Sequence, residues 1–593
     1  MTSETAYTAT PQHQPEPVVA LPKPSRLWLP IALVCLFWAV YSFMRWTEFG
    51  IGLGFMGFLI QLATVALVTL VFVVWWFSSR TMRLGDRFFV FGTAVLVGIG
   101  AAFLSDRGLL IFLLMLGLPL VLTAWTVGLL ATRNQSPRVR RLVLVAAICL
   151  IWAAFPFFGS DGVGGDFQPT LRWRWQATGE ELYQAELKRN AETAAPVLSQ
   201  SVSLHPGDWS GFRGPNRDGE VSGVRIATDW NTTPPRLAWK RRIGPAWSSM
   251  AVVGDRVFTQ EQVGDSENVV CLDAATGRTA WSHQDAVRHS DALSGPGPRA
   301  TPTFADGRLY ALGATGVLNC LDAVSGERRW SRDIAADAGA KKPMWGFSSS
   351  PLVVGDLVIV FAEGDSAKTL LAYKTDSGKP AWTASAGKLS YSSPQLASLD
   401  GVAQILFDSD QGLTAFDPSS GAVLWKQSTP PEGPGLPQSV QPQVVGKSAV
   451  LFDAGANTGL TRIDLSHENQ SWTPTERWVS RQMKPAFNDY VVHDNAIYGF
   501  DGRIFTCIDL ETGQRRWKEG RYGSGQVLLL ADQPLLLVLT DTGEVVLVAA
   551  DPDRHQELGR FQAIEGKTWN HPVIAHGRLY VRNADEMACY ELR

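Results

Sequence analysis

Residues 273–281 read DAATGRTAW, and the phrase returns as DAVSGERRW at 322–330, DPSSGAVLW at 417–425 and DLETGQRRW at 509–517. A fifth copy, KTDSGKPAW at 374–382, carries Lys374 where the others carry Asp. Self-similarity at a period in the forties is the mark of a propeller or another repeat array. Before each copy runs an alternating apolar stretch such as NVVCLD or GVLNCLD, which reads as a strand, and T/S-G supplies a sharp turn into a second strand carrying Trp. About 30 residues ahead of each phrase stands a second turn between apolar runs. These turns are Gly254-Asp255, Asp306-Gly307, Gly355-Asp356, Asp400-Gly401, Gly446-Lys447, Asp494-Asn495, Asp532-Gln533 and His576-Gly577, which makes eight repeats of four strands.

The Trp position confirms the number only if one copy is taken from the other end of the domain. Trp281, Trp330, Trp382, Trp425, Trp478, Trp517 and Phe561 serve seven repeats, and the eighth stops at Glu591-Leu592-Arg593, where its turn and Trp strand are due. Residues 237–243, LAWKRRI, place Trp239 about one period ahead of Trp281. A strand borrowed from there closes the last blade and removes the open edge. The expected fold is therefore an all-β eight-bladed propeller over 236–593, its last blade completed by an N-terminal strand.

The first third of the chain answers to a different solvent. Runs 27–44, 51–77, 88–104, 109–131 and 142–158 are each apolar and long enough to cross a bilayer as a helix. Lys23, Arg26, Arg80, Arg83, Arg87, Arg133, Arg138, Arg140 and Arg141 fall on one side of these crossings, and only Arg45 and Arg107 on the other. The positive-inside rule then predicts a cytoplasmic tail over 1–26, a five-helix membrane domain over 27–158, and a C-terminal domain on the exported side, the periplasm for a chain in a bacterial inner membrane. No small-residue cleavage site follows the first helix, so it reads as an uncleaved anchor. Residues 159–235 read as stalk and linker, with helix-forming composition at 178–192 capped by Thr178, and with Trp173 and Trp175 suited to a headgroup interface or an exposed strand.

A net charge of −3 with both signs mixed argues against a nucleic-acid surface. Cys271, Cys320, Cys507 and Cys589 occupy one strand position in four different blades, which keeps them apart and argues against disulfides. No C-x-x-C-H, H-E-x-x-H or G-x-S-x-G stretch occurs, so covalent haem, zinc hydrolase and serine hydrolase chemistry lack local support, and no catalytic or metal-ligating set is assigned.

In a propeller the segments leading into the innermost strands converge on the channel mouth. Here they read GPGPRATP (Arg299), MWGFSSSP (Trp345), LSYSSP (Tyr391), SVQPQ, MKPAFND (Lys484, Asn488), GRYGSGQ (Arg521, Tyr522, Gln526) and KTWNHP (Lys567, Trp569, Asn570, with His571 beside them). Cations beside Trp and Tyr suit a flat anionic ligand, held by charge and by stacking. The same small and polar residues also suit a purely structural role in blade packing.

The D-x-x-T-G-x-x-x-W repeat resembles the pyrroloquinoline quinone (PQQ) repeat of quinoprotein dehydrogenases and of the BamB-like lipoprotein of the outer-membrane assembly machine. WSGFRGPNRDG at 209–219, with GPRATP, WGFSSSP, GRYGSGQ and KTWNHP, is similar to bacterial membrane-anchored PQQ-like propellers. Two functions follow from the resemblance. One is a membrane-tethered propeller, without a catalytic cofactor, that binds another envelope protein or a small ligand. The other is a dehydrogenase of sugars or alcohols, holding PQQ with Ca²⁺ and passing electrons to a membrane quinone in the bilayer, in which Arg299, Lys484, Arg521 and Lys567 would face the three PQQ carboxylates. Against the second, the ring lacks long inter-blade insertions, and no Glu/Asn/Asp calcium set matches.

Overall fold

The structure is a computed structural model that describes residues 27–47, 54–79, 82–164, 169–189, 195–291, 293–364, 367–429, 438–455 and 458–592. The expected tail at 1–26 lies outside these residues, as do Arg80 and Arg593. The chain forms two compact units: Met1–Val40 with Ala63–Leu104 and Leu113–Phe155, and Tyr41–Leu62 with Ser105–Phe112 and Pro156–Arg593.

Five helices among the described residues are long and apolar enough to cross a membrane: Trp28–Trp46, Met56–Ser78, Leu84–Leu104, Leu110–Ala131 and Pro137–Phe157. The last begins five residues before the expected start at 142, because Ser136 caps it by accepting from Val139 N (3.4 Å) and Pro137 presets its first turn. Within the first unit, polar side chains find one another. Trp38 Nε1 donates to Thr123 Oγ1 at 3.0 Å, and Arg141 pairs with Asp86 at 2.9 Å.

The second unit holds the propeller. Seven consecutive four-stranded antiparallel groups run from Ala251–Val253 to Glu557–Gln562 in chain order. The eighth sheet takes three strands from Val573–Glu591 and its outer strand from Arg236–Arg242, with Trp239 opposite Cys589. The closure expected from the missing final Trp is thus the observed one.

Side-chain chemistry explains why the phrase recurs. Asp273 Oδ1 accepts the amides of Ala275 and Thr276 (2.7 and 3.2 Å), which folds the turn, and Gly277 takes φ +70 within it. A Cβ at Gly277 would stand 2.7 Å from the Trp239 ring of the preceding blade, so only glycine fits. Gly326 against Trp281, Gly378 against Trp330, Gly421 against Trp382 and Gly513 against Trp478 repeat the relation. Each of these Trp rings also donates Nε1 to a carbonyl of the next blade: Trp281 to Ala323, Trp330 to Thr375, Trp382 to Pro418 and Trp478 to Leu510. Trp425 departs from the pattern and bonds Gln404 of its own blade at 2.7 Å. The following blade offers no T/S-G turn there, since its outer hairpin turns instead at Asn469-Gln470. The four propeller cysteines are buried, unpaired and each opposite a Trp.

The stretch 159–235 is more than the expected stalk and linker. A hairpin of Phe158–Val163 and Pro169–Trp173 is followed by a helix at Gly179–Arg189, whose Thr178 and Glu181 bond each other's amides at 3.1 and 2.8 Å. Residues 208–221 then run along the innermost strands and touch every blade. Trp209 bridges Val252, Ser210 O accepts from Phe304 N, and Arg217 donates to the carbonyls of Ser350, Pro351 and Pro394. Gln443 donates to Asp218 O, Arg213 to Tyr490 O, Leu529 N to Gly219 O, and His576 bonds Asp208. The segment turns so tightly that Arg213 and Arg217 adopt φ +57 and +58. It is a plug: hydrogen bonds to and beside the innermost strands of the ring hold it in the channel.

Candidate functional site

Above the plug lies a cavity of about 240 Å³. All eight blades contribute to its wall through their lead-in segments: Trp247, Arg299, Trp345, Tyr391, Ser439, Phe487, Gln526 and Trp569 stand one from each. The plug supplies Phe212, whose ring meets His571 edge-on at 4.9 Å. Val163, Gly164, Leu293 and Ser294 complete the lining, with Val163 N bonded to Leu293 O at 2.8 Å.

The walls are aromatic and paired. Trp345 stands 5.3 Å from Tyr391, and Trp569 stands 5.0 Å from both Trp247 and Phe487. Tyr391 Oη accepts from Trp345 N (3.3 Å), while Gln526 Nε2 donates to the carbonyls of Phe487 and Trp569, each at 3.1 Å, stapling three blades together. The serines Ser348, Ser350, Ser393 and Ser439 share the lining.

The cations anticipated at the mouth are differently employed. Arg299 lines the cavity, yet its guanidinium donates to Asp291 Oδ2 (2.7 Å), Ser294 Oγ (2.7 Å) and the carbonyls of Gly295, Gly297 and Trp345. Burial lowers the pKa of Arg299; although burial also works against the Asp291 carboxylate, His289, Arg299 and Ser294 hold its pKa far below the usual range. Lys567 stands behind the wall, 4.9 and 4.8 Å from the Trp247 and Trp569 centroids, and donates to the carbonyls of Asp161 (3.3 Å) and Val163 (3.1 Å). Burial pulls its pKa down to about 8. Lys484 is outside the lining and faces Asp501 at 3.7 Å, and Arg521 is exposed on the surface. Asn488 donates to Gly525 O, Tyr522 bonds His555 and Glu557, and Asn570 donates to Ala246 O and Ser248 O, so these three join neighbouring segments. Of the eleven anticipated residues, five line the cavity: Arg299, Trp345, Tyr391, Gln526 and Trp569.

Several lining residues escaped the sequence, Trp247 and Phe212 among them. Trp247, in GPAWSSM, becomes visible once the first blade's lead-in is aligned with the other seven, but Phe212, within WSGFRGPNRDG, lies outside any repeat and nothing in the spacing places it at the cavity.

His571 completes a buried relay. Its Nε2 is 2.9 Å from Asp489 Oδ2, Arg213 Nη1 is 3.1 Å from the same oxygen, and Asp489 Oδ1 accepts Gln441 N. Burial, reinforced by Arg213, holds the His571 pKa well below its ordinary value, so the imidazole is neutral at physiological pH.

These residues do not fit PQQ with Ca²⁺. Among the described residues, the lining contains no carboxylate to hold a cation, its one guanidinium is already bound by protein oxygens, and no group of three or more His, Cys, Asp or Glu side chains would hold a metal ion.

Residues 265–519 match the family described as outer membrane protein assembly factor BamB. The ring is an eight-bladed β-propeller similar to the PQQ-like propellers. Quinohemoprotein alcohol dehydrogenase ADH-IIG of Pseudomonas putida is 25% identical over 213 residues, 34% of this chain, so the match spans only 28% of that enzyme's length. Among solved structures, BamB from Moraxella catarrhalis is similar with a TM-score of 0.45 at 17% identity, covering 60% of this chain and 99% of that one. The quinohemoprotein alcohol dehydrogenase of Comamonas testosteroni gives 0.49 at 11% identity, covering 70% and 83%. At this distance the PQQ-like propeller inherits no residue role from the enzymes.

Proposed function

We propose that this chain is a membrane-anchored binding module whose PQQ-like propeller takes a small uncharged ligand in its channel mouth. One observation carries the reading: a cavity walled by all eight blades is aromatic and hydroxyl-lined, and its single cation is already bound by protein oxygens. Aromatic faces reward a flat ligand, whereas a carboxylate would meet no free positive charge. The volume suits a molecule of one or two rings, since an apolar cavity of about 150 Å³ takes up benzene. The five candidate spans and the asymmetry of Lys and Arg support a bilayer anchor with the ring on the exported side. The match to an outer-membrane assembly factor agrees with an envelope setting, where a neighbouring envelope protein is a second partner.

The test is a titration of the full chain in detergent. Small uncharged aromatic compounds should bind saturably and raise the melting temperature, while PQQ with Ca²⁺ should show no saturable binding at tens of micromolar. Stoichiometric uptake of PQQ would overturn the reading in favour of the dehydrogenase.

A further inference from the structure

We propose that His571 sets the specificity of the channel-mouth cavity, and that the ligand it selects is an uncharged aromatic ring bearing a hydroxyl group, a phenol-type molecule. The inference rests on the reading of the cavity as a ligand site and names the chemistry that site prefers.

Three features converge on it. First, the proton of His571 is placed. Asp489 is almost fully buried and pairs with Arg213 at 3.1 Å, and a carboxylate so paired only accepts. The 2.9 Å contact therefore puts the imidazole proton on Nε2. Second, the opposite nitrogen is an unused acceptor: among the described residues none donates to Nδ1, and His571 lines the cavity. The depressed pKa of His571 agrees with a lone pair that stays available at physiological pH. Third, the surroundings favour one kind of approach. Phe212 lies edge-on to the imidazole, and Trp247 with Trp569 and Trp345 with Tyr391 pair along the wall, so a flat face stacks there while one donor reaches Nδ1.

Elimination narrows the class. A sugar has donors but no aromatic face to stack. A quinone has the face but only acceptors, which would oppose the Nδ1 lone pair. An aromatic acid would bring a charge to a cavity whose only guanidinium is engaged by Asp291. A phenol supplies both the face and the donor.

The experiment compares 2-naphthol with 2-methoxynaphthalene, which have the same rings and differ in a methyl group in place of the hydroxyl proton, by fluorescence titration of the full chain in detergent. 2-Naphthol should bind about tenfold tighter, as loss of one hydrogen bond to a buried acceptor implies. In His571→Phe the two probes should bind alike, at the affinity of the methyl ether. Equal affinities in the unaltered protein would overturn the inference and leave the cavity reading standing. Binding of neither probe would overturn both. Because the decisive comparison uses the unaltered protein, it holds even where His571→Phe fails to fold.

Discussion

Trp239 Nε1 donates to the main-chain oxygen of Ala274, 3.1 Å away, and its ring covers Gly277. One side chain thereby binds the strand that closes the last blade to the turn of the first. The same contact joins neighbouring blades elsewhere, but here it bridges the two ends of the propeller domain, so the ring shuts with the latch used between its inner members.

Trimming that ring should loosen the seam. Trp239→Phe loses the hydrogen bond and part of the indole that covers Gly277, and is expected to lower stability by about 2 kcal/mol. Gly277→Ala should cost more, because it forces φ +70 on a residue with a Cβ and drives that Cβ into the indole. Urea unfolding followed by circular dichroism reads both changes, and an unchanged midpoint for Gly277→Ala would refute the latch.

Arg217 is the keystone of the plug. Its buried guanidinium meets only neutral oxygens, those of Ser350, Pro351 and Pro394 with Thr303 at the limit of reach, and burial lowers its pKa to about 9. Arg217→Ala strips partners from several buried carbonyls at once and should destabilise the ring by about 3–5 kcal/mol. Hydrogen exchange should rise in the innermost strands of the third and fourth blades, and protection equal to that of the unaltered protein would count against the plug.

Acid should strengthen part of the propeller. Burial raises Glu267 from its ordinary 4.5 to about 7, and Glu363 likewise. A carboxyl whose folded value lies above its unfolded value favours folding most when protonated. Its contribution is full below pH 4.5 and fades as pH rises through 7. Melting temperatures measured from pH 4.5 to 8 should show this decline, and Glu267→Gln should flatten it.

Lys567 ties the Phe158–Val163 strand to the cavity wall through the carbonyls of Asp161 and Val163. Lys567→Met keeps the stem between Trp247 and Trp569 but loses both bonds, so limited proteolysis should cut sooner at 158–164. Its lowered pKa means that the folded arrangement releases a proton relative to solvent. Stability from this group therefore rises between pH 8 and its ordinary 10.5 and is level below pH 8. The unaltered protein should show that rise and Lys567→Met should lack it.

Topology is open to a direct measurement. A reporter active only outside the cytoplasm, fused after Arg593, should be active, and one active only in the cytoplasm should be silent. The opposite pattern would overturn the orientation drawn from the arginines.

Much of the fold was legible because its information is local and periodic. Asp273, Thr276, Gly277 and Trp281 lie within nine residues, and each does a job that recurs at a fixed spacing, so the pattern survives even where Lys374 replaces the Asp. Apolar runs announce helices in the same local way. The cavity was legible in part. The lead-in segments to the innermost strands did converge, and Trp345, Tyr391, Gln526 and Trp569 do line it. The charge of the site was not legible, because a cation seen in a string of letters has no partner attached.

The sequence by itself therefore determined an eight-bladed ring, its closure by Trp239 and five apolar helices ahead of it, since these depend on neighbours a few residues or one period away. Only the tertiary structure decided that residues 208–221 fill the channel and that the guanidinium at the mouth is engaged by Asp291. Arg213 meets Tyr490 across 277 positions and Lys567 meets Val163 across 404, distances over which no repeat gives warning. A burial that spends a guanidinium on Asp291, or pins an imidazole proton on Asp489, exists only once the ring has brought those groups together.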